Sequence, residues 1–139
     1  MTDISISSDE QEMTEDSLTI CKARYKQNVV EIKKDDYSRL DYGEFLNDNL
    51  LEFTLYKLLE GTSKKANQRI HLFSTQFFTK LISEPKVKRS YSSRFTQAQA
   101  KHQNVKRWTN NINIFDTKKI LLFPINEEHF HWYLIMVVV

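Results

Sequence analysis

A chain of 139 residues that is 40% apolar and 12% aromatic has the length and the bulky side chains for one globular core, which excludes a wholly disordered polypeptide. Its single cysteine, Cys21, excludes an internal disulfide and a cysteine-rich zinc site, and it favours a reducing compartment, nucleus or cytoplasm. The net charge of +2 hides an asymmetry: Asp3, Asp9, Glu10, Glu12, Glu15 and Asp16 lie in the first stretch with no Lys or Arg, so the remaining body is basic and suits an acidic partner.

Residues 1–20 are polar, acidic and rich in Ser and Thr, and are expected to form a disordered tail, because they bury too little apolar area to offset ordering entropy. Within it Ile4-Ser5-Ile6, followed by Ser7, Ser8, Asp9 and Glu10, has the outline of a SUMO-interacting motif. Two apolar residues make chance composition the better reading. The acidic start is unlike a signal or transit peptide, and no apolar run approaches the roughly 18 residues of a membrane span, so no membrane partner is expected.

Residues 18–21 and 28–32 read as short strands, and Asp35 and Asp36 open a helical turn that ends by Leu40. After Asp41-Tyr42-Gly43-Glu44, residues 48–59 place Leu51, Leu55, Leu58 and Leu59 on one helical face. Asn47 or Asp48 is its N-cap, and Gly61 lies just past its end. A polar stretch then leads to a second core helix within residues 70–82, where Phe73, Phe77, Phe78, Leu81 and Ile82 recur at helical spacing behind Ser74 or Thr75. Residues 83–97 form an exposed basic connection to a third helix over about residues 96–108. Residues 119–125 and 132–139 are apolar, β-branched strands separated by a polar loop at residues 126–128. The second of these strands runs to the last residue with no cap or polar gatekeeper, which leads to the expectation that the chain is the front part of a longer domain.

Four segments follow one another in a fixed order: Gly43-Glu44-Phe45-Leu46-Asn47-Asp48; His71-Leu72-Phe73-Ser74-Thr75-Gln76-Phe77-Phe78; Val105-Lys106-Arg107-Trp108-Thr109; and Phe123-Pro124-Ile125-Asn126 with His131-Trp132-Tyr133-Leu134. The ordered set resembles the ubiquitin-like-protease (sentrin- or SUMO-specific protease) family of cysteine peptidases over about residues 25–139. Phe45 and the insertion before Trp108 look more like the branch that edits poly-SUMO chains than the precursor-processing branch. The resemblance implies an α+β papain-like, adenoviral-proteinase-like fold, here expected to be incomplete at its C-terminus, with residues 21–139 as the N-terminal part of the catalytic domain.

The family's triad runs His, Asp, Cys along the chain, with a Gln helping to hold the oxyanion, and the His that precedes Trp corresponds to His131. At that place an imidazole takes the thiol proton to make the attacking thiolate and later protonates the leaving lysine amine. The Asp, Gln and Cys are expected beyond Val139, so the chain as given is expected to be inactive. Cys21 is a poor substitute nucleophile, since it precedes the His in strand-like sequence without an adjacent Gly or a helix N-terminus to lower its thiol pKa.

The family also grips the diglycine tail of SUMO in a narrow aromatic slot, and the resemblance places Trp132 and Phe45 at its walls. Phe45 replaces a Trp common in the family, which keeps the aromatic lid but loses an N–H donor. Plain core packing is the competing explanation for both rings. Asp48 is a third candidate for touching the tail, with a role as helix cap the competing explanation.

The implied function is a SUMO-specific isopeptidase acting on SUMO or SUMO-conjugated proteins, with no small-molecule cofactor. The alternative is a non-catalytic SUMO-binding or vestigial paralogue. His129 and His131 alternate along a strand-like stretch, but no third ligand accompanies them, so no metal is expected. His71 reads as a cap or a satisfied core histidine, and Trp108 as structural. The bases Lys86, Lys88, Arg89, Arg94, Lys101, Lys106 and Arg107 form a solvated face able to meet acidic SUMO surfaces or act as a nuclear address. They lack the interleaved aromatics of a nucleic-acid site, so nucleic acid is not expected as a partner.

Overall fold

Alternation of apolar and polar residues builds the first hairpin. In the computed structural model, which describes residues 18–84, 97–110, 112–113 and 117–139, β1 (Thr19–Tyr25) and β2 (Asn28–Lys33) pair antiparallel, with Tyr25 opposite Asn28. Ala23, Tyr25, Val30 and Ile32 are buried on one period-two face, and β1 runs four residues past the expected end at Cys21 because Ala23 and Tyr25 continue that face. Lys26 takes a left-handed φ of 56° to close the turn.

The strand runs directly into the short helix α1 (Lys34–Ser38), and after an extended loop the chain enters α2 (Asp48–Glu60). Asn47 is the cap: its Oδ1 accepts from the Leu50 N–H at 3.0 Å, which settles the choice between Asn47 and Asp48. The buried positions of α2 are Leu50, Tyr56 and Leu59, with Leu51 and Leu55 half-buried, whereas Leu58 is 65% exposed. The expected stripe is therefore rotated, because Tyr56 displaces Leu58 from the apolar side.

The chain divides into two compact units, Met1–Phe53 and Thr54–Val139. The polar stretch after α2 forms a helix that its sequence hid, α3 (Lys64–Arg69), which has no apolar stripe. Ser63 caps it by accepting from the Ala66 N–H at 3.2 Å, and Asn67 Nδ2 donates to the Leu59 carbonyl at 3.3 Å.

Ile70–Leu72, expected at the head of a helix, is instead the strand β3. It pairs parallel with Ile120–Leu122 of β4 (Ile120–Glu127), and β4 pairs antiparallel with β5 (His131–Val138), giving the sheet order β3-β4-β5. Hydrogen bonds from the Lys119 N–H to the Arg69 carbonyl at 2.8 Å and from the Phe73 N–H to the Leu122 carbonyl at 2.9 Å extend the parallel ladder at both ends. Pro124 sits past the end of that pairing, where β4 has a partner on the β5 side only, so its missing N–H costs no ladder bond.

The predicted second helix starts after Thr75 as α4 (Gln76–Ile82), and the third forms as α5 (Gln97–Thr109). Phe73, Phe77, Val105 and Leu121 make the core between them and β4, with Leu81, Ile112 and Phe123 packed against it. Phe73 stacks on Phe123 with ring centroids 4.4 Å apart, and Phe77 lies 4.2 Å from Phe73. Asn104 Nδ2 donates to the Ser83 carbonyl at 2.8 Å and ties α5 to the end of α4. Residues 1–17, with the Ile4-Ser5-Ile6 segment and most of the acidic tail, lie outside the described residues, as do Lys86, Lys88, Arg89 and Arg94.

Candidate active site

The candidate residues fall in both units, and each unit carries its own local geometry. In the second unit, β4 and β5 are joined by a tight turn in which Glu128 and His129 have φ of 52° and 65° and the Phe130 N–H donates to the Glu127 carbonyl at 3.1 Å. Two successive left-handed residues without glycine hold a strained tip. His129 thus lies in the turn, not in a strand alternating with His131, which removes the shared face suggested by their spacing. Among the described residues no cluster of three or more His, Cys, Asp or Glu is placed to hold a metal.

His131 is the first residue of β5, opposite Glu127, and its side chain is exposed. Trp132 follows, opposite Asn126, and is half-buried. Because side chains alternate along a strand, His131 and Trp132 project from opposite faces, and Trp132 shares a face with Asn126. The Asn126 Oδ1 is buried with no hydrogen-bond donor.

In the first unit, Phe45 lies in the loop that leads to α2 and is 53% exposed, so plain burial does not account for it. Gly43, with φ of 91°, makes the turn before it, where any side chain is strained. Asp48 is the first residue of α2 and half-buried, beside the Asn47 cap, where its carboxylate complements the positive end of the helix.

A carboxylate that the sequence reading did not single out as functional organises this loop. Asp36, 6% exposed, accepts from the Lys33 N–H at 2.9 Å, from Asn47 Nδ2 at 2.6 Å and from Asn49 Nδ2 at 3.0 Å. Burial pushes its carboxyl upward, yet these donors together hold it below the ordinary carboxylate value. The signal was present as three side chains able to pair, Asp36, Asn47 and Asn49, but nothing local says that they meet.

Cys21 is a free thiol, partly buried in β1 opposite Ile32. His71 lies edge-on to Phe73 at 4.5 Å between ring centroids, consistent with a core histidine, and Trp108 lies 6.2 Å from Phe77.

The family profile of the Ulp1 protease family, C-terminal catalytic domain, matches residues 44–139. This chain belongs to that family. It is 36% identical over 107 residues to sentrin-specific protease 7 of Homo sapiens, covering 76% of this chain and 10% of that protein. It is 34% identical over 113 residues to ubiquitin-like-specific protease 2 of Schizosaccharomyces pombe, covering 79% of this chain and 16% of the relative. Among solved structures it superposes on a de-sumoylating protease with a TM-score of 0.68 at 27% identity, covering 88% of this chain and 42% of that one. The Ulp1 protease domain in complex with Smt3, the yeast ortholog of SUMO, gives 0.55 at 25% identity, over 86% of this chain and 44% of that chain. The family member therefore has the α+β fold of a cysteine protease, and it spans a small part of the curated relatives it matches. No helix among the described residues is long and apolar enough to cross a membrane.

Proposed function

We propose that this chain is the part of a SUMO-specific cysteine isopeptidase that carries the general base and the grip on the SUMO tail. The observation that carries the proposal is His131, solvent-exposed where it leaves a tight hairpin and followed directly by Trp132, in a chain of the Ulp1 protease family. In this reading the His131 imidazole takes the proton of a cysteine thiol, the thiolate attacks the Gly–Lys isopeptide carbonyl, and the same imidazole protonates the departing lysine amine. Water then hydrolyses the acyl-enzyme. Trp132 is proposed as a wall for the extended diglycine tail, and Phe45 and Asp48 are each proposed to contact that tail.

Cys21, the one cysteine in the 139 residues, stands in β1 rather than at a helix N-terminus, so the proposal gives the chain no nucleophile of its own. Incubated with a SUMO-conjugated substrate, the purified 139-residue chain is expected to show no cleavage. Cleavage that persists in Cys21→Ala overturns that expectation. SUMO added to the isotope-labelled chain is expected to shift the Trp132 and Phe45 resonances, and an unchanged spectrum at high SUMO concentration removes the tail-binding role. Nuclear or cytoplasmic residence follows from this substrate.

A further inference from the structure

Asn126 lies directly across the β4–β5 ladder from Trp132, and its Oδ1 is buried without a donor. Buried amide oxygens are almost always paired, so an orphan calls for a reason. Its register neighbours on that face of the hairpin are Pro124, Trp132 and Leu134; Pro124 and Leu134 have no donor in their side chains, and the indole N–H of Trp132 does not reach the oxygen. One acceptor among apolar groups is the usual make-up of a site that binds through apolar contact and fixes orientation with a few polar atoms. Pro124 is fully buried, whereas Trp132 is only half-buried, so the side of the acceptor that can open is the Trp132 side.

We propose that Asn126 is a specificity residue of the tail-binding slot, and that its Oδ1 accepts a backbone N–H from one of the two terminal glycines of an extended peptide laid against Trp132. The inference rests on the reading of Trp132 as a wall of that slot. An extended strand entering a slot loses water from its own N–H groups, so donor and acceptor each gain the partner that they lack. Because the protein offers an oxygen there, the site selects for N–H and against a proline or an N-methylated residue at the same place.

The test is a titration of the isotope-labelled 139-residue chain with a peptide ending in Gly-Gly, and with two peptides N-methylated at one or the other glycine. The unmodified peptide is expected to shift Trp132, and one of the N-methyl peptides to bind about tenfold more weakly. Asn126→Leu is expected to lose the same tenfold toward the unmodified peptide, to be indifferent to that N-methyl group, and to melt no lower than the wild type. Equal affinity of all three peptides for the wild type, with Trp132 still shifting, overturns the Asn126 assignment and leaves the slot standing. Failure of the unmodified peptide to shift Trp132 at all removes the slot and the assignment together. The N-methyl arm needs no variant, so the outcome does not depend on how well Asn126→Leu folds.

Discussion

Asn47 donates from Nδ2 to Asp36 Oδ1 over 2.6 Å while its own Oδ1 receives the Leu50 N–H at 3.0 Å. One side chain thus caps α2 and is itself held by a buried carboxylate. Replacing Asp36 with Ala strands the amides of Asn47 and Asn49 and frees the loop that carries Phe45. Chemical denaturation is expected to show a loss of about 2–4 kcal/mol. A loss below about 0.5 kcal/mol would show that the cluster is incidental.

The same carboxyl makes stability depend on acid pH. Its folded pKa lies below its ordinary value of 3.8, so its contribution is complete above that value and is lost as pH falls through the lower folded pKa. Urea midpoints measured from pH 5 downward are expected to fall in the wild type, and to fall less steeply in Asp36→Asn, which has no proton to gain. Parallel slopes for the two proteins would assign the acid sensitivity to other carboxylates.

Phe73 stands between Phe77 and Phe123, at 4.2 and 4.4 Å between ring centroids, and is 5% exposed. Truncation to Ala leaves a cavity that a β-strand on one side and a helix on the other cannot both close. The expected cost is about 3–5 kcal/mol by thermal or urea unfolding.

The hairpin tip offers a substitution in the opposite direction. His129 occupies a φ of 65°, where a side chain costs about 1–2 kcal/mol and glycine does not. Glycine also raises the entropy of the unfolded chain, which returns about 0.4–1 kcal/mol of that gain. His129→Gly is therefore expected to stabilise the protein by about 0.5 kcal/mol and to leave the β4–β5 register unchanged in backbone amide exchange. Destabilisation by more than 1 kcal/mol would mean that the His129 side chain makes contacts which outweigh the backbone strain.

Short-range features were open to reading from the residues alone. The strand β2, the start of α4 behind Thr75, α5 and the β4–β5 pair follow from period and flanking residues within one window, whereas β1 was read only to Cys21 and runs on to Tyr25 to pair with β2. The ordered segments ending in His131-Trp132 carried the family. The polar loop predicted at residues 126–128 shifted to residues 128–130, because Asn126 and Glu127 find ladder partners in Trp132 and His131.

What the amino-acid order determined by itself is local: which stretches alternate, which recur every third or fourth residue, and which histidine stands before a tryptophan. Tertiary structure alone decided that Ile70–Leu72 is a strand, since its partner Ile120–Leu122 is some fifty residues away and no nearby residue can report that pairing. It alone also brought Asp36 to Asn47 and left the Asn126 oxygen without a donor. The reason is the same in each case, because a hydrogen bond is set by distance in space, and the chain encodes only distance along itself.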